Sequence, residues 1–258
     1  MATTTRRTIA VERSAARFAE PVRISGYVFD GMPSVVVTVR GGECFGRGEA
    51  AGVYYLGDDQ DRMAADIDGI VAEVEAGASR ADLQNLLPPC GARNALDCAL
   101  WELEARIAGM PVWSLAGVPR PRPLVTTFTL PVAEPAVLSR RARELAFAKA
   151  IKLKLEGDLG ADEPRMAAVR GARPDIWLSV DANQGFDGDD LESLGKIARG
   201  HSVSLIEQPV ARGNEAALEG WRPGIPVAAD ESVLNLAEIE ERARHFDVIN
   251  IKLDKCGG

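Results

Sequence analysis

Five chemically loaded residues recur down this chain, each at the end of a short apolar run and each 22 to 27 residues from the next. They are Lys154, Asp181, Glu207, Asp230 and Lys252, in the segments IKLKLEGD, IWLSVDAN, SLIEQP, PVAADES and VINIKLDK, with helix-like stretches between them. That alternation is the rhythm of a parallel β/α barrel. In such a barrel, groups at the carboxyl ends of several strands converge on one mouth although they lie far apart in sequence. Three carboxylates flanked by two lysines are therefore expected to face a common cavity.

Counting from Val125, six strands are read in VTTFTL, IKLKL, WLSVD, SLIEQ, VAADE and VINIKL, with five helices between them. A closed barrel needs eight strands. The fold class expected is thus α/β, with residues 118–258 forming a partial β/α barrel of strands one to six whose C-terminal part is absent. Either something further completes it or the sequence is a fragment. Residues 1–117 do not follow the rhythm and read as an α+β capping domain. There, PSVVVTVRGGECFGRGEA suggests two strands joined at Gly41-Gly42, a turn that tolerates positive φ. Helical patterns follow in DDQDRMAADIDGIVAEVEAG and in ARNALDCALWELEARIAG, where Ala95, Cys98, Ala99, Leu103 and Ile107 line one side. The proline-rich VPRPRPLV suits a connector.

A net charge of −8, with no basic tract, argues against a nucleic-acid surface and points to small-molecule partners. MATTTRRTIAVERS lacks an apolar stretch long enough for a secretory signal, and no run approaches a membrane span, so a cytoplasmic location is expected, with no membrane partner; a homo-oligomer is compatible. The four cysteines lack metal-ligand spacing, and Cys90 and Cys98 read as buried thiols. His201 and His245 fall where helices end, which suits the helix dipole and disfavours histidine catalysis.

Lys152 and Lys154 are two apart on a strand, so their side chains share a face, while Ile151, Leu153 and Leu155 are too apolar for a solvent-facing strand. Mutual repulsion and desolvation are expected to lower a lysine pKa toward that of a general base. Asp181, Glu207 and Asp230 end consecutive strands and offer Mg²⁺ three hard oxygen ligands with positions left open. Asn183 and Gln208 are placed to donate behind them, and Glu231 to orient a lysine or a water. Lys252, on the sixth strand, falls roughly opposite the second, the geometry for moving a proton between two faces of a substrate. Lys255 reads as an ordinary turn lysine, and Asp254 as a lesser candidate for the mouth.

The K-x-K strand, the ordered Asp, Glu, Asp, the ADES segment at Ala229–Ser232 and the sixth-strand lysine resemble the enolase superfamily, in its muconate-lactonizing subgroup. Ala92–Trp101 and Asn250–Gly258 are similar to segments of dipeptide epimerases of the L-Ala-D/L-Glu kind. The resemblance implies that Lys154 and Lys252 are the acid/base pair, that Lys152 binds the substrate carboxylate, and that Asp181, Glu207 and Asp230 ligate Mg²⁺. It implies epimerisation of a dipeptide, or of a related N-substituted amino acid, through an enolate. o-Succinylbenzoate synthase or N-acylamino acid racemase chemistry and an inactive barrel fragment are the rivals. Ala-Glu epimerases carry an arginine in the loop over the site; the comparable stretch ISGYVFDGMPS has none, and Arg23 just before it is the available substitute.

Overall fold

The computed structural model describes residues 6–24 and 27–258, which form two compact units. The first comprises Gly31–Arg122 with the chain up to Ala19 and the segment Ile251–Gly258; the second comprises Glu20–Asp30 and Pro123–Asn250.

A three-stranded sheet has the order β1 (Arg7–Ile24), β2 (Tyr27–Gly41), β3 (Cys44–Ala50), and the first unit holds β1 up to Ala19, β2 from Gly31 and all of β3. Val35, Val37 and Val39 alternate along β2 and are fully buried, as the period of a half-covered strand requires. The β2–β3 pair is antiparallel and closes at Gly41 opposite Cys44, so the two-residue turn is Gly42-Glu43 and the expected Gly41-Gly42 turn is one residue out of register. Gly42 supplies the positive φ, at 61°. Helices α1 (Gln60–Asp68), α2 (Val71–Glu75), α3 (Arg80–Leu86), α4 (Gly91–Ala108) and α5 (Val112–Leu115) follow. The long helical pattern after Gly57 is therefore broken between α1 and α2. The axis of this unit is α4 on β3. A Cβ at Gly46 or Gly48 would strike the carbonyls of Ala99 and Ala95, so glycine on the strand and alanine on the helix let the backbones touch. Ala92, Ala95, Leu96, Ala99, Leu100 and Leu103 are fully buried along that seam. Ile107, expected on it, is exposed, and Cys98 is half-buried: the seam ends near Leu103, two residues short of the last turn. β1, with its many charges, carries no apolar run and was not expected as a strand.

The second unit holds a six-stranded parallel sheet in chain order: β4 (Thr127–Leu130), β5 (Ala150–Lys154), β6 (Trp177–Asp181), β7 (Leu205–Glu207), β8 (Val227–Ala229) and β9 (Val248–Ile249). The six strands and their order are those that the spacing predicts. Helices α6 (Pro135–Glu144), α7 (Leu159–Ala172) and α8 (Leu191–Gly200) make the first three crossovers; the last two are shorter, a 3₁₀ turn at Glu215–Leu218 and α9 (Ile239–Arg242) flanked by 3₁₀ turns. Strand parity then places the chemistry. Ile151, Leu153 and Leu155 are fully buried with Leu138, Ala142, Met166 and Val169 of α6 and α7, which leaves Lys152 and Lys154 on the opposite face of β5. Leu178 and Val180 do the same for Asp181, and Ile206 for Glu207. Each fully buried Leu or Ile contributes about 1.5–3 kcal/mol, so flipping a strand by one residue would forfeit several such terms at once. His201 is the C-cap of α8, as expected of it. Among the described residues, no helix is long and apolar enough to cross a membrane.

Candidate active site

Parallel register aligns the strand ends. Lys154 pairs with Asp181, Asp181 with Glu207, and Glu207 with Ala228, two residues before Asp230. Asp181, Glu207, Asp230 and Glu231 are all buried, and the two lysines nearly so. The Lys154 ammonium donates to Asp181 Oδ2 at 2.6 Å and to Asn183 Oδ1 at 2.8 Å. Lys152 lies 3.1 Å from Asp181 Oδ2 and 3.2 Å from Glu207 Oε2. Asn183 Nδ2 donates in turn to Glu231 Oε1 at 3.2 Å, so Glu231 reaches Lys154 through Asn183.

Gln208 is fully buried and satisfied on both sides. Its Oε1 accepts from the main-chain N–H groups of Asp230 and Ser232 at 2.9 and 3.0 Å, and its Nε2 donates to Val210 O and Ser232 Oγ at 2.8 and 2.7 Å. The backbone is strained at the same place: Asn183, Gln184 and Gln208 have φ of 44°, 69° and 40°. Left-handed conformations cost a residue other than glycine of order 1 kcal/mol or more and persist where surrounding structure over-determines them. Asn250, beyond β9, donates from Nδ2 to Glu207 Oε1 at 2.8 Å.

The electrostatics follow from burial and crowding. Burial raises the Glu207 carboxyl pKa, and the neighbouring Asp181 raises it further. Glu231 is pushed up to about 7 by burial, then by Asp230 and Asp181. Burial alone would lower the Lys152 pKa, but Asp181 and Glu207 outweigh it and hold it above the ordinary lysine value. The lowered pKa expected from lysine–lysine repulsion is thus overturned for Lys152, because two carboxylates lie closer to it than that expectation allowed.

Four buried carboxyl groups outnumber the two lysines that hold Asp181 and Glu207, and among the described residues Glu231 Oε2 is buried with no hydrogen-bond partner. The donor set, buried hard oxygens that outnumber the ammonium groups, fits a divalent cation such as Mg²⁺. Among the described residues no three ligands are already drawn into a coordination group, since the lysines hold Asp181 and Glu207.

The remaining candidates lie on other elements of the chain. Lys252 is exposed and lies past the end of β9, at the N-cap of α10 (Leu253–Cys256), in the segment belonging to the first unit. There it lines a cavity of about 300 Å³ with Gly52, Val53, Tyr54, Tyr55 and Asn94. Asp254 accepts from the N–H groups of Ala51 and Gly52, each at 3.2 Å, and from Asn94 Nδ2 at 2.5 Å. Arg93 grips the carbonyls of Cys256 and Gly257 at 2.5 and 2.9 Å, which anchors the same segment on α4. Lys255 is buried, not a turn lysine in solvent. Arg23 is exposed on β1, and its carbonyl accepts from Val132 N at 3.3 Å. The stretch expected as a covering loop is largely strand from Tyr27 onward; its Ser25 and Gly26 lie outside the described residues. Asn250 and the loop residues Gln184 and Arg212 were not singled out from sequence. Only the Gly213 neighbour of Arg212 marks that loop, and nothing local shows what it reaches.

Residues 6–117 match the family described as mandelate racemase / muconate lactonizing enzyme, N-terminal domain, and residues 136–258 match enolase C-terminal domain-like. A solved enolase family member from Agrobacterium tumefaciens, with homology to dipeptide epimerases and with sodium and L-Ala-L-Glu bound, is 35% identical, with a TM-score of 0.92 over 98% of this chain and 77% of that one. The chain belongs to the enolase superfamily. Within the superfamily it is also similar to L-Ala-D/L-Glu epimerase of Escherichia coli, 35% identical over 215 residues, which are 83% of this chain and 66% of that protein. The dipeptide epimerase of Enterococcus faecalis, solved with Mg and L-Leu-L-Tyr, aligns with a TM-score of 0.89 at 26% identity, over 98% of this chain and 76% of that one. The superfamily member described here thus spans 66 to 77% of these relatives' lengths.

Proposed function

We propose that this chain is a dipeptide epimerase, or acts on a closely related N-substituted amino acid, by moving the α-proton between two lysines. What supports this most is one observation: Lys152 and Lys154 share a strand face with Asp181, Glu207 and the buried Asp230–Glu231 pair at the ends of neighbouring strands. The names of the relatives point the same way. Mg²⁺, when held by Asp181, Glu207 and Asp230, supplies the positive charge that lowers the cost of α-proton removal from a substrate carboxylate.

The residues of this chain do the rest. Lys154, oriented by Asp181 and by the Asn183–Glu231 relay, takes or returns the proton on one face. Lys252 serves the other face. Lys152, held protonated between Asp181 and Glu207, is suited to pairing with the substrate carboxylate. The substrate side chain is left open: Arg23 is the basic residue offered for an acidic one, and the relatives include enzymes named for both Glu-containing and hydrophobic dipeptides.

The test is exchange of the α-proton in D₂O, followed by NMR with each epimer of L-Ala-Glu and of L-Leu-Tyr. Lys154→Ala and Lys252→Ala should each abolish epimerisation, and each should retain exchange of one epimer only, with opposite selectivity. If both variants exchange the same epimer, or either interconverts epimers at the parent rate, the two-base assignment is wrong.

A further inference from the structure

Three of the carboxylates sit at the ends of short strands followed by irregular loops, and mutually repelling groups there stay in place only if the loops are joined. The loop after β6 is stitched to the loop after β7 through main-chain bonds, Gln184 N to Gln208 O at 2.9 Å and Phe186 N to Pro209 O at 3.0 Å. The loop after β8 is held from its donor side by Gln208, which takes the N–H groups of Asp230 and Ser232. Its acceptor side is held by Arg212. Arg212 Nη1 donates to the carbonyls of Glu231 and Ser232 at 3.0 and 3.2 Å. The same guanidinium pairs with Glu238 in a fork, Nη2 to Oε1 at 2.5 Å and Nη1 to Oε2 at 3.2 Å, and Glu238 Oε2 also accepts from Leu234 N at 2.8 Å. Finally, the Arg212 main-chain N–H donates to Gln184 Oε1 at 2.9 Å. One residue of the β7 loop therefore touches the β6 loop and the β8 loop at once.

We propose that Arg212 is a positioning residue for the cation-holding carboxylates: it locks the Asp230–Ser232 segment against the loops that follow Asp181 and Glu207. This rests on the assignment of those three carboxylates to a divalent cation. Gln208 and Arg212 grip opposite edges of the same three residues, so losing either lets the peptide after Asp230 rotate and its carboxylate swing away from its neighbours. A lysine cannot replace Arg212, because a single ammonium does not span two carbonyls and a carboxylate, whereas a planar fork does.

The experiment measures Mn²⁺ binding by electron paramagnetic resonance, independently of turnover, beside thermal melting in chelator. The proteins are the parent, Arg212→Ala, Arg212→Lys, Glu238→Gln and, as a control, Arg170→Ala, whose guanidinium binds main-chain carbonyls at the other end of the strands. Arg212→Ala should weaken Mn²⁺ about 10- to 100-fold, the range found when partners behind metal ligands are removed. Arg212→Lys should recover little of this, Glu238→Gln should lose less, and Arg170→Ala should melt earlier with the parent's affinity. A folded Arg212→Ala with the parent's affinity overturns the proposal, as does an Arg170→Ala that weakens Mn²⁺ equally, since affinity would then only follow stability. If Arg212→Ala does not fold, parent-like affinity in both Arg212→Lys and Glu238→Gln overturns it. A parent that binds no Mn²⁺ removes the cation assignment itself, and the inference with it.

Discussion

The two ends of the parallel sheet solve opposite problems with the same kinds of residue. At the amino ends, arginine serves the main chain: Arg170 donates to the carbonyls of Arg173, Pro174, Ile176, His201 and Ser202, and Arg173 to those of Leu145 and Ala148. The charges that meet there are of opposite sign, as in Arg173 with Asp175, and the loops before β5, β6 and β7 are held by these main-chain bonds, with Ser202 alone of the named residues in a left-handed conformation, at φ 52°. At the carboxyl ends, four buried carboxyl groups outnumber two lysines, three residues adopt left-handed backbone, and among the described residues Glu231 keeps an oxygen without a partner. The first arrangement lowers the folded state's free energy, while the second raises it and holds the strained groups ready for a ligand. Activity and stability should therefore respond in opposite senses at the two ends.

The largest effect is expected at the carboxyl end. Glu207→Gln keeps the side chain's size and can still meet Lys152 and Asn250, but it removes a charge that burial and Asp181 already disfavour. Epimerisation should fall about 10³-fold or more, as when a preorganised charge-stabilising group is lost. The melting temperature in chelator should hold or rise. Turnover near the parent's, or a melting temperature lowered as far as by Arg170→Ala, would erase the contrast between the two ends.

Arg170→Ala is the reciprocal change. It strips partners from up to five carbonyls, some of which regain water, and buried groups left unpaired cost roughly 1–3 kcal/mol. For a chain of this size that is a fall of roughly 2 to 12 °C in melting temperature. Turnover per folded molecule should stay at the parent's level, measured at a temperature where both proteins are fully folded.

The same contrast explains what could be read from sequence. Strands β5 to β8 are buried on one face against helices, so they stand out as apolar runs, and each run ends on a charged residue that has no place in a core. The rhythm of Lys154, Asp181, Glu207 and Asp230 was legible for that reason, and with it the six parallel strands. β1 was not, because its charges leave no continuous apolar run. Lys252 was assigned to a strand because VINIKL is apolar, yet β9 stops at Ile249 and Asp254 and Arg93 anchor the segment that follows on α4. Lys255 misled in the same way, since burial of a lysine depends on packing from elsewhere in the chain. Arg212 and Arg170 were invisible for a shared physical reason: each binds main-chain carbonyls, which every sequence has, so no residue pattern marks their targets.

The smallest effect tests whether a stabilising tie exists at the carboxyl end as well. Arg212, through its hydrogen bonds, is the main cause that holds the Glu238 carboxyl below its ordinary value, with Leu234 N and Arg242 adding to it against burial. The folded state therefore prefers the carboxylate more than the unfolded chain does. The contribution of the pair is fully present above the unfolded pKa of about 4.5 and is lost as pH falls through the lower folded value. Because both side chains are partly exposed, it amounts to about 0.5–1 kcal/mol, or roughly 1 to 4 °C. Glu238→Gln should thus melt below the parent at pH 7, and the gap should narrow as pH falls below about 4.5, both measured in chelator. A gap that persists undiminished at pH 3 would mean that shape, not charge, holds Arg212, and that the carboxyl end is tied by packing in a way the amino end is not.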